Sequence, residues 1–181
     1  MTDYVTVTIY GADKVGSSSL ARQLVAHEFE EDYQVARDEG IYHTQVDIDQ
    51  KSCWIQVFMG YKHLVRFSDN RTHHEGYLFV FSITDRPSFE ATRKQIDETK
   101  DYSNLPILLV GNKCDLEHRR VVPAREGAEL AESVGCKYLE TSAKEGINVD
   151  ACFFELVREV RRLKPENNVD DNGSKKQCSL S

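Results

Sequence analysis

Across its 181 residues the chain has no run of about 18 consecutive apolar residues, so no segment carries the signature of a membrane-crossing helix. Its first residues, MTDYVTVTIYG, lack a basic stretch followed by an apolar one and read as the start of the fold, not as an export signal. Basic charge is in deficit: 23 Lys and Arg face 30 Asp and Glu, a net charge of −7. The long-range field therefore repels phosphodiester backbones, and no nucleic-acid partner is expected. The five cysteines (Cys53, Cys114, Cys136, Cys152, Cys178) are odd in number and show no C-x-x-C spacing. Neither a zinc site nor a disulfide framework is suggested, and a reduced cytosolic compartment fits best. No internal repeat is visible. A chain of this length can bury about two-thirds of its unfolded surface in one core.

The residues that are present alternate between two patterns. DYVTVTIY (3–10) is rich in β-branched and aromatic residues and runs into Gly11, so it reads as a strand. SSSLARQLVAHEF (17–29) follows with Leu20, Gln23, Leu24 and His27 at helical spacing and serines fit to cap its start. IYHTQVDI (41–48) and CWIQVFM (53–59) are strand candidates joined by DQKS, a connection short enough for an antiparallel hairpin. Residues 60–76 show no clear period. YLFVFSI (77–83) and PILLVGN (106–112) are nearly continuous apolar runs of the kind covered on both faces, and KYLETSA (137–143) is a final strand. Helices are expected over 87–102, over 123–135 between Pro123 and Gly135, and over 149–163. The expected architecture is α/β: a mostly parallel six-stranded sheet with one antiparallel strand and helices on both faces. Residues 1–163 form this domain, and 164–181, KPENNVDDNGSKKQCSLS, lack apolar periodicity and are expected to be a disordered tail.

Between the first strand and first helix lies GADKVGSSS. Gly11 and Gly16 let the backbone curl so that successive N–H groups of Asp13, Lys14, Val15, Gly16, Ser17, Ser18 and Ser19 can converge on phosphate oxygens. Read alone, the stretch is equally a tight glycine turn before a helix, because the phosphate-loop pattern asks for Lys where Ser17 stands. Two distant stretches bear on that choice. LVGNKCDL leaves a buried strand and delivers Asn112, Lys113 and Asp115 at its carboxyl end, where open α/β sheets bind ligands. A carboxylate at Asp115 can accept from both N1–H and the exocyclic amine of guanine, a match adenine does not offer. Asn112 can tie loops together and the Lys113 stem can lie along the base; a polar strand-to-helix turn is the plainer reading. ETSAK (140–144) then places Ser142, Ala143 and Lys144 after a second strand, with amides near Ala143 able to donate to guanine O6.

With NKCDL and ETSAKEG following a phosphate-loop outline in this order, the chain from about residue 3 to 163 resembles the Ras family of small GTPases, on its Ras and Rheb side. The resemblance implies the P-loop NTPase fold, GTP or GDP as ligand, and a role for Phe29 against the guanine face, although Phe29 can equally be a core residue at a helix end. It also implies a Mg²⁺-binding hydroxyl at Ser18, effector or regulatory proteins docking around residues 33–40, and a monomer.

The departures gather at the phosphate side. Ser17 replaces the lysine that neutralises phosphates, Ala36 stands where the family has a metal-binding threonine, and Met59 stands where it has the metal-supporting aspartate. No Gly-Gln pair follows Met59 to orient an attacking water. Catalysis in this family rests on positioning and charge stabilisation, with Ras as the worked example, so losing all four groups predicts weak or absent Mg²⁺ binding and very slow or absent hydrolysis. No residue is assigned as catalytic. Asp13 adds a repelling carboxylate, whereas Lys14 either reaches a phosphate from the other side or is a solvated surface lysine. Two other outcomes stay open: a working switch with relocated catalytic groups, and a nucleotide-free scaffold.

The final CSLS fits C-a-a-X, with Cys178 as the prenylated thiol and a terminal Ser that goes with farnesyl. A single lipid is a marginal anchor, and only Lys175 and Lys176 lie near it. The expected location is the cytoplasmic face of membranes with a cytosolic fraction. Cys178→Ser should move the protein wholly into the soluble fraction on flotation; an unchanged membrane share would refute the anchor.

Overall fold

Both faces of the first strand are covered, and the sheet is built outward from it. A computed structural model describes residues 3–29, 41–60, 75–98 and 105–164. Strand β1 (Asp3–Gly11) sends Val5, Val7 and Ile9 into one apolar cluster and Tyr10 into a second on the opposite face. There follow α1 (Ser17–Ala26), β2 (Ile41–Ile48), β3 (Lys51–Gly60), β4 (Gly76–Ser82), α2 (Arg86–Glu98), β5 (Ile107–Asn112), α3 (Ala124–Val134), β6 (Lys137–Thr141) and α4 (Val149–Leu163). The strands make one sheet in the order β2-β3-β1-β4-β5-β6. Every pairing is parallel except β2 with β3. This is the expected α/β sheet with its single antiparallel strand.

The helices divide between the faces according to which apolar stripe they carry. Leu20 and Leu24 of α1 and Phe153, Leu156 and Val160 of α4 pack on one face. Phe89 and Ile96 of α2 and Leu130 and Ala131 of α3 pack on the other, around Phe79 and Phe81. No described helix is long and apolar enough to cross a membrane.

Three element ends differ from the sequence expectation, each for a local reason. Helix α1 stops at Ala26 and does not reach Phe29, because His27 turns left-handed (φ 52°) and its N–H closes on the Gln23 carbonyl at 3.0 Å. The hairpin is tighter than DQKS: only Asp49 and Gln50 lie between the strands, both with positive φ (53° and 63°). That is the mirror-image turn whose twist suits paired strands. Arg158 of α4 grips Asp49 through both carboxylate oxygens at 2.8 Å, and Arg161 donates to the Ile48 carbonyl at 3.0 Å. Strand β6 ends at Thr141, after which Ser142 forms a lone antiparallel bridge with Ile147. The helix expected over 87–102 is seen as α2 to Glu98; the remainder lies outside the described residues, as do most of the unperiodic 60–76 segment, Ala36, the 33–40 stretch and Cys178.

The parallel strands β1, β4, β5 and β6 all deliver their carboxyl ends to one edge of the sheet. The chain leaves β1 toward β3 and β2 on one side and takes β4, β5 and β6 on the other, so Gly11 ends the strand at the topological switch point. The last turns at that edge are braced from behind. Arg120 donates to both oxygens of Glu140, at 2.8 and 2.7 Å, and to Glu117, while Tyr138 donates its hydroxyl to Glu140 at 2.7 Å. The Arg120 bond holds the Glu140 carboxyl below its ordinary value of 4.5 against the opposing effect of burial, with Tyr138 assisting.

A carboxylate depressed in the folded state stabilises fully above its unfolded pKa and loses that contribution as pH falls through the folded one. Glu140→Gln should therefore destabilise the protein by about 1.5–3 kcal/mol at neutral pH. Denaturant midpoints of variant and wild type should converge as pH falls below 4.5; a gap independent of pH would refute the pairing.

Candidate functional site

The loop after β1 turns through Lys14 (φ 64°) and Gly16 (φ 93°), and α1 begins at Ser17 with its first bond from Leu20 N–H to the Gly16 carbonyl at 2.9 Å. A side chain at Gly16 would be strained by that φ and its Cβ would collide with Asn112 Nδ2. Val15 is buried, and its carbonyl accepts from Asn112 Nδ2 at 2.8 Å. The Lys14 carbonyl accepts from Lys113 Nζ at 2.6 Å. The loop is thus fastened sideways to the end of β5. The side chains of Asp13 and Lys14 are exposed, and Ser19 is half-buried.

At the end of the loop where a cation would act, two serines are turned to other uses. Ser17 Oγ is buried without a hydrogen-bond partner and packs against Gly11, 2.6 Å from where a Cβ on that glycine would sit. Ser18 Oγ donates to Met59 Sδ at 3.8 Å, a weak bond made possible because Met59 lies opposite Ile9 in the β1–β3 register. Magnesium takes hard oxygen donors in octahedral geometry, and a thioether is a soft, neutral one. Ser18 beside Met59 is therefore a poor match to that ion, and the described residues contain no cluster of three or more His, Cys, Asp or Glu side chains that could hold a metal.

The other end of the site is fully connected. Asn112, at the carboxyl end of β5, is 1% exposed. Its Oδ1 accepts from Thr141 Oγ1 at 3.1 Å and from the Ala143 amide at 3.2 Å, while Nδ2 holds Val15. Asp115 Oδ1 accepts from Ser142 Oγ at 2.6 Å, and that hydroxyl accepts in turn from the Glu145 amide at 3.0 Å. Asp115 is thereby oriented by the loop that follows β6. Burial pulls the Lys113 ammonium below its usual range, opposed by Asp85. Phe29 is 37% exposed, beyond the end of α1, and so is not a core residue; Lys144 is exposed on the 143–146 turn. The Ala143 amide, expected to face a base oxygen, is engaged by Asn112, so a guanine O6 would share it.

Sequence reasoning passed over two residues of this network. Thr141 completes the Asn112 shell, and its place one residue before Ser142 in ETSAK was the available signal. Gln23, with its amide oriented so that both groups find partners, donates to the carbonyls of Glu28 (3.1 Å) and Ala143 (3.3 Å). It ties the stretch bearing Phe29 to the loop bearing Ala143, and its helical spacing with Leu20 and Leu24 hides that role.

Comparison with known proteins agrees with this geometry. The model of the Ras family matches residues 6–162. The Ras-related protein Ral-B of Rattus norvegicus is 42% identical over 176 residues, covering 93% of this chain and 85% of its own length. The Ras-like protein rasB of Dictyostelium discoideum is 40% identical over 167 residues, covering 88% of this chain and 84% of its own.

Removing the Asn112 amide would leave the Val15 carbonyl and the Ala143 N–H without their partner, at about 1–3 kcal/mol for each buried group left unsatisfied. Asn112→Ala should lower the unfolding free energy by roughly 2–6 kcal/mol in denaturant titrations with no nucleotide present. A loss seen only when nucleotide is bound would show that the side chain serves the ligand alone.

Proposed function

Because the chain belongs to the Ras family of small GTPases, we propose that it is a guanine-nucleotide-binding signalling module that holds its ligand by the base and has little or no capacity to hydrolyse it. The observation that carries this reading is the contrast between the two ends of one site. At the base end Asn112, Asp115, Ser142 and Ala143 form a connected hydrogen-bonded set. At the phosphate end the hydroxyl of Ser18 rests on a thioether and that of Ser17 has no partner.

Within this reading the chain's own residues bind and orient. Asp115, aimed by Ser142, accepts the guanine N1–H and amino group; Lys113 and Phe29 flank the ring; backbone amides from Gly16 to Ser19 meet the first phosphate. Ser17 and Met59 offer neither the cation nor the carboxylate by which charge developing on a departing phosphate would be neutralised or a metal supported, and a GTP-bound form would persist. Mg²⁺ contributes weakly or not at all. Partners would read residues 33–40 in a conformation that turnover switches little, and a farnesyl group on Cys178 would give the module partial residence at membranes.

Single-turnover incubation of the purified full chain with GTP and Mg²⁺ tests the proposal. The expected outcome is bound GTP that remains intact over hours; conversion to GDP within minutes would establish a working switch instead.

A further inference from the structure

The stretch GADKVGSSS contains a single cationic side chain, Lys14, and the fold holds that residue in a conformation that favours glycine. Lys14 has φ 64° and Gly16 has φ 93°, with Val15 between them. A lysine in the left-handed region is strained where a glycine is not. The strain is held in place from the base side. The Lys14 carbonyl accepts from Lys113 Nζ at 2.6 Å, and the Val15 carbonyl accepts from Asn112 Nδ2 at 2.8 Å. In a trans peptide the N–H points opposite to the C=O, so the amides of Val15 and Gly16 are turned away from the end of β5. Amides presented by turns of this kind line a concavity suited to an anion.

Two charged side chains stand at the rim of that concavity. Asp13 and Lys14 are both exposed, and among the described residues neither side chain makes a hydrogen bond or an ion pair, not even with the other. The position after Gly16 adds no charge, because it is Ser17, whose hydroxyl is buried against Gly11. The Lys113 ammonium is already engaged by the loop's own backbone. Lys14 therefore carries the loop's uncommitted ammonium, on a flexible four-carbon stem.

We propose that Lys14 supplies, from the solvent side of the loop, the phosphate-binding charge that position 17 lacks, and so makes the site prefer guanine nucleotides over guanosine. The inference rests on the guanine reading above and deepens it. A flexible, solvated ammonium grips the bound nucleotide and the transition state alike, and binding of that uniform kind raises affinity without raising rate. Lys14 thus retains GTP without helping to cut it. Position 14 carries backbone strain in exchange: glycine there would relax the loop and remove the charge.

Calorimetric titration of the nucleotide-free full chain with guanosine, GDP and GTP, without added Mg²⁺ and at low and high salt, tests the assignment. Lys14→Gln should bind guanosine as the wild type does, and GDP and GTP about tenfold or more weakly. Lys14→Arg should restore most of that loss, and the gap between wild type and Lys14→Gln should narrow as ionic strength rises. Lys14→Gly should melt at a higher temperature than wild type without nucleotide, yet lose affinity for GTP as Lys14→Gln does. Equal affinities of wild type and Lys14→Gln for GDP and GTP would overturn the proposal and leave the guanine reading intact, with Lys14 a solvated surface residue. A loss for guanosine as large as that for GTP would overturn it too, by showing position 14 to act through the shape of the loop. Failure of the wild type to bind any of the three ligands would instead remove the guanine reading, and this assignment with it.

Discussion

The side chain of Asn112 holds the candidate site together. Its Nδ2 grips the phosphate loop at Val15, and its Oδ1 accepts from Thr141 and Ala143, so that β5, the loop after β1 and the turn after β6 meet at one buried amide. Each of these bonds lies in a region where water cannot substitute for a lost partner, and an amide that satisfies three segments at once fixes their separation. Gly16 is part of the same constraint: the amide nitrogen occupies the space a side chain would need there.

This arrangement explains how the phosphate end could diverge without unmaking the loop. The loop is anchored from the base side, through Asn112 to Val15 and through Lys113 to Lys14, and none of these bonds involves a phosphate, a lysine at position 17 or a metal. Behind the base loops, the Arg120–Glu140–Tyr138 cluster fixes the end of β6. The hydroxyl of Ser17 is buried against Gly11 beside this network. The phosphate loop and the loop after β6 thus share one support, the Asn112 side chain, and that support makes no use of the residues at positions 17 and 59.

Much of the fold was legible in the chain because the strands β4 and β5 are covered on both faces and must be largely apolar, as YLFVFS and ILLVGN are. The ends of elements were less legible. The early stop of α1 depends on a left-handed His27, and the two-residue hairpin places Asp49 and Gln50 at positive φ where glycine or asparagine would have announced the turn. Of the site, Asn112, Lys113 and Asp115 stood out by spacing, whereas Gln23 and Thr141 did not, since their roles are defined by carbonyls and amides brought close by the sheet.

By itself the sequence determined the family resemblance, the α/β order of elements, the candidate residues of the base site and the absence of a lysine at position 17, because these follow from local pattern and residue chemistry. It also placed Met59 where the family resemblance implies a carboxylate. Only the tertiary structure decided what the replaced groups do: that Ser17 turns under Gly11, that Ser18 rests on Met59 across 41 residues of chain, and that Asn112 carries the loop. Register between parallel strands and the packing of buried polar atoms are nonlocal, and a side chain's partner there is chosen by the whole sheet.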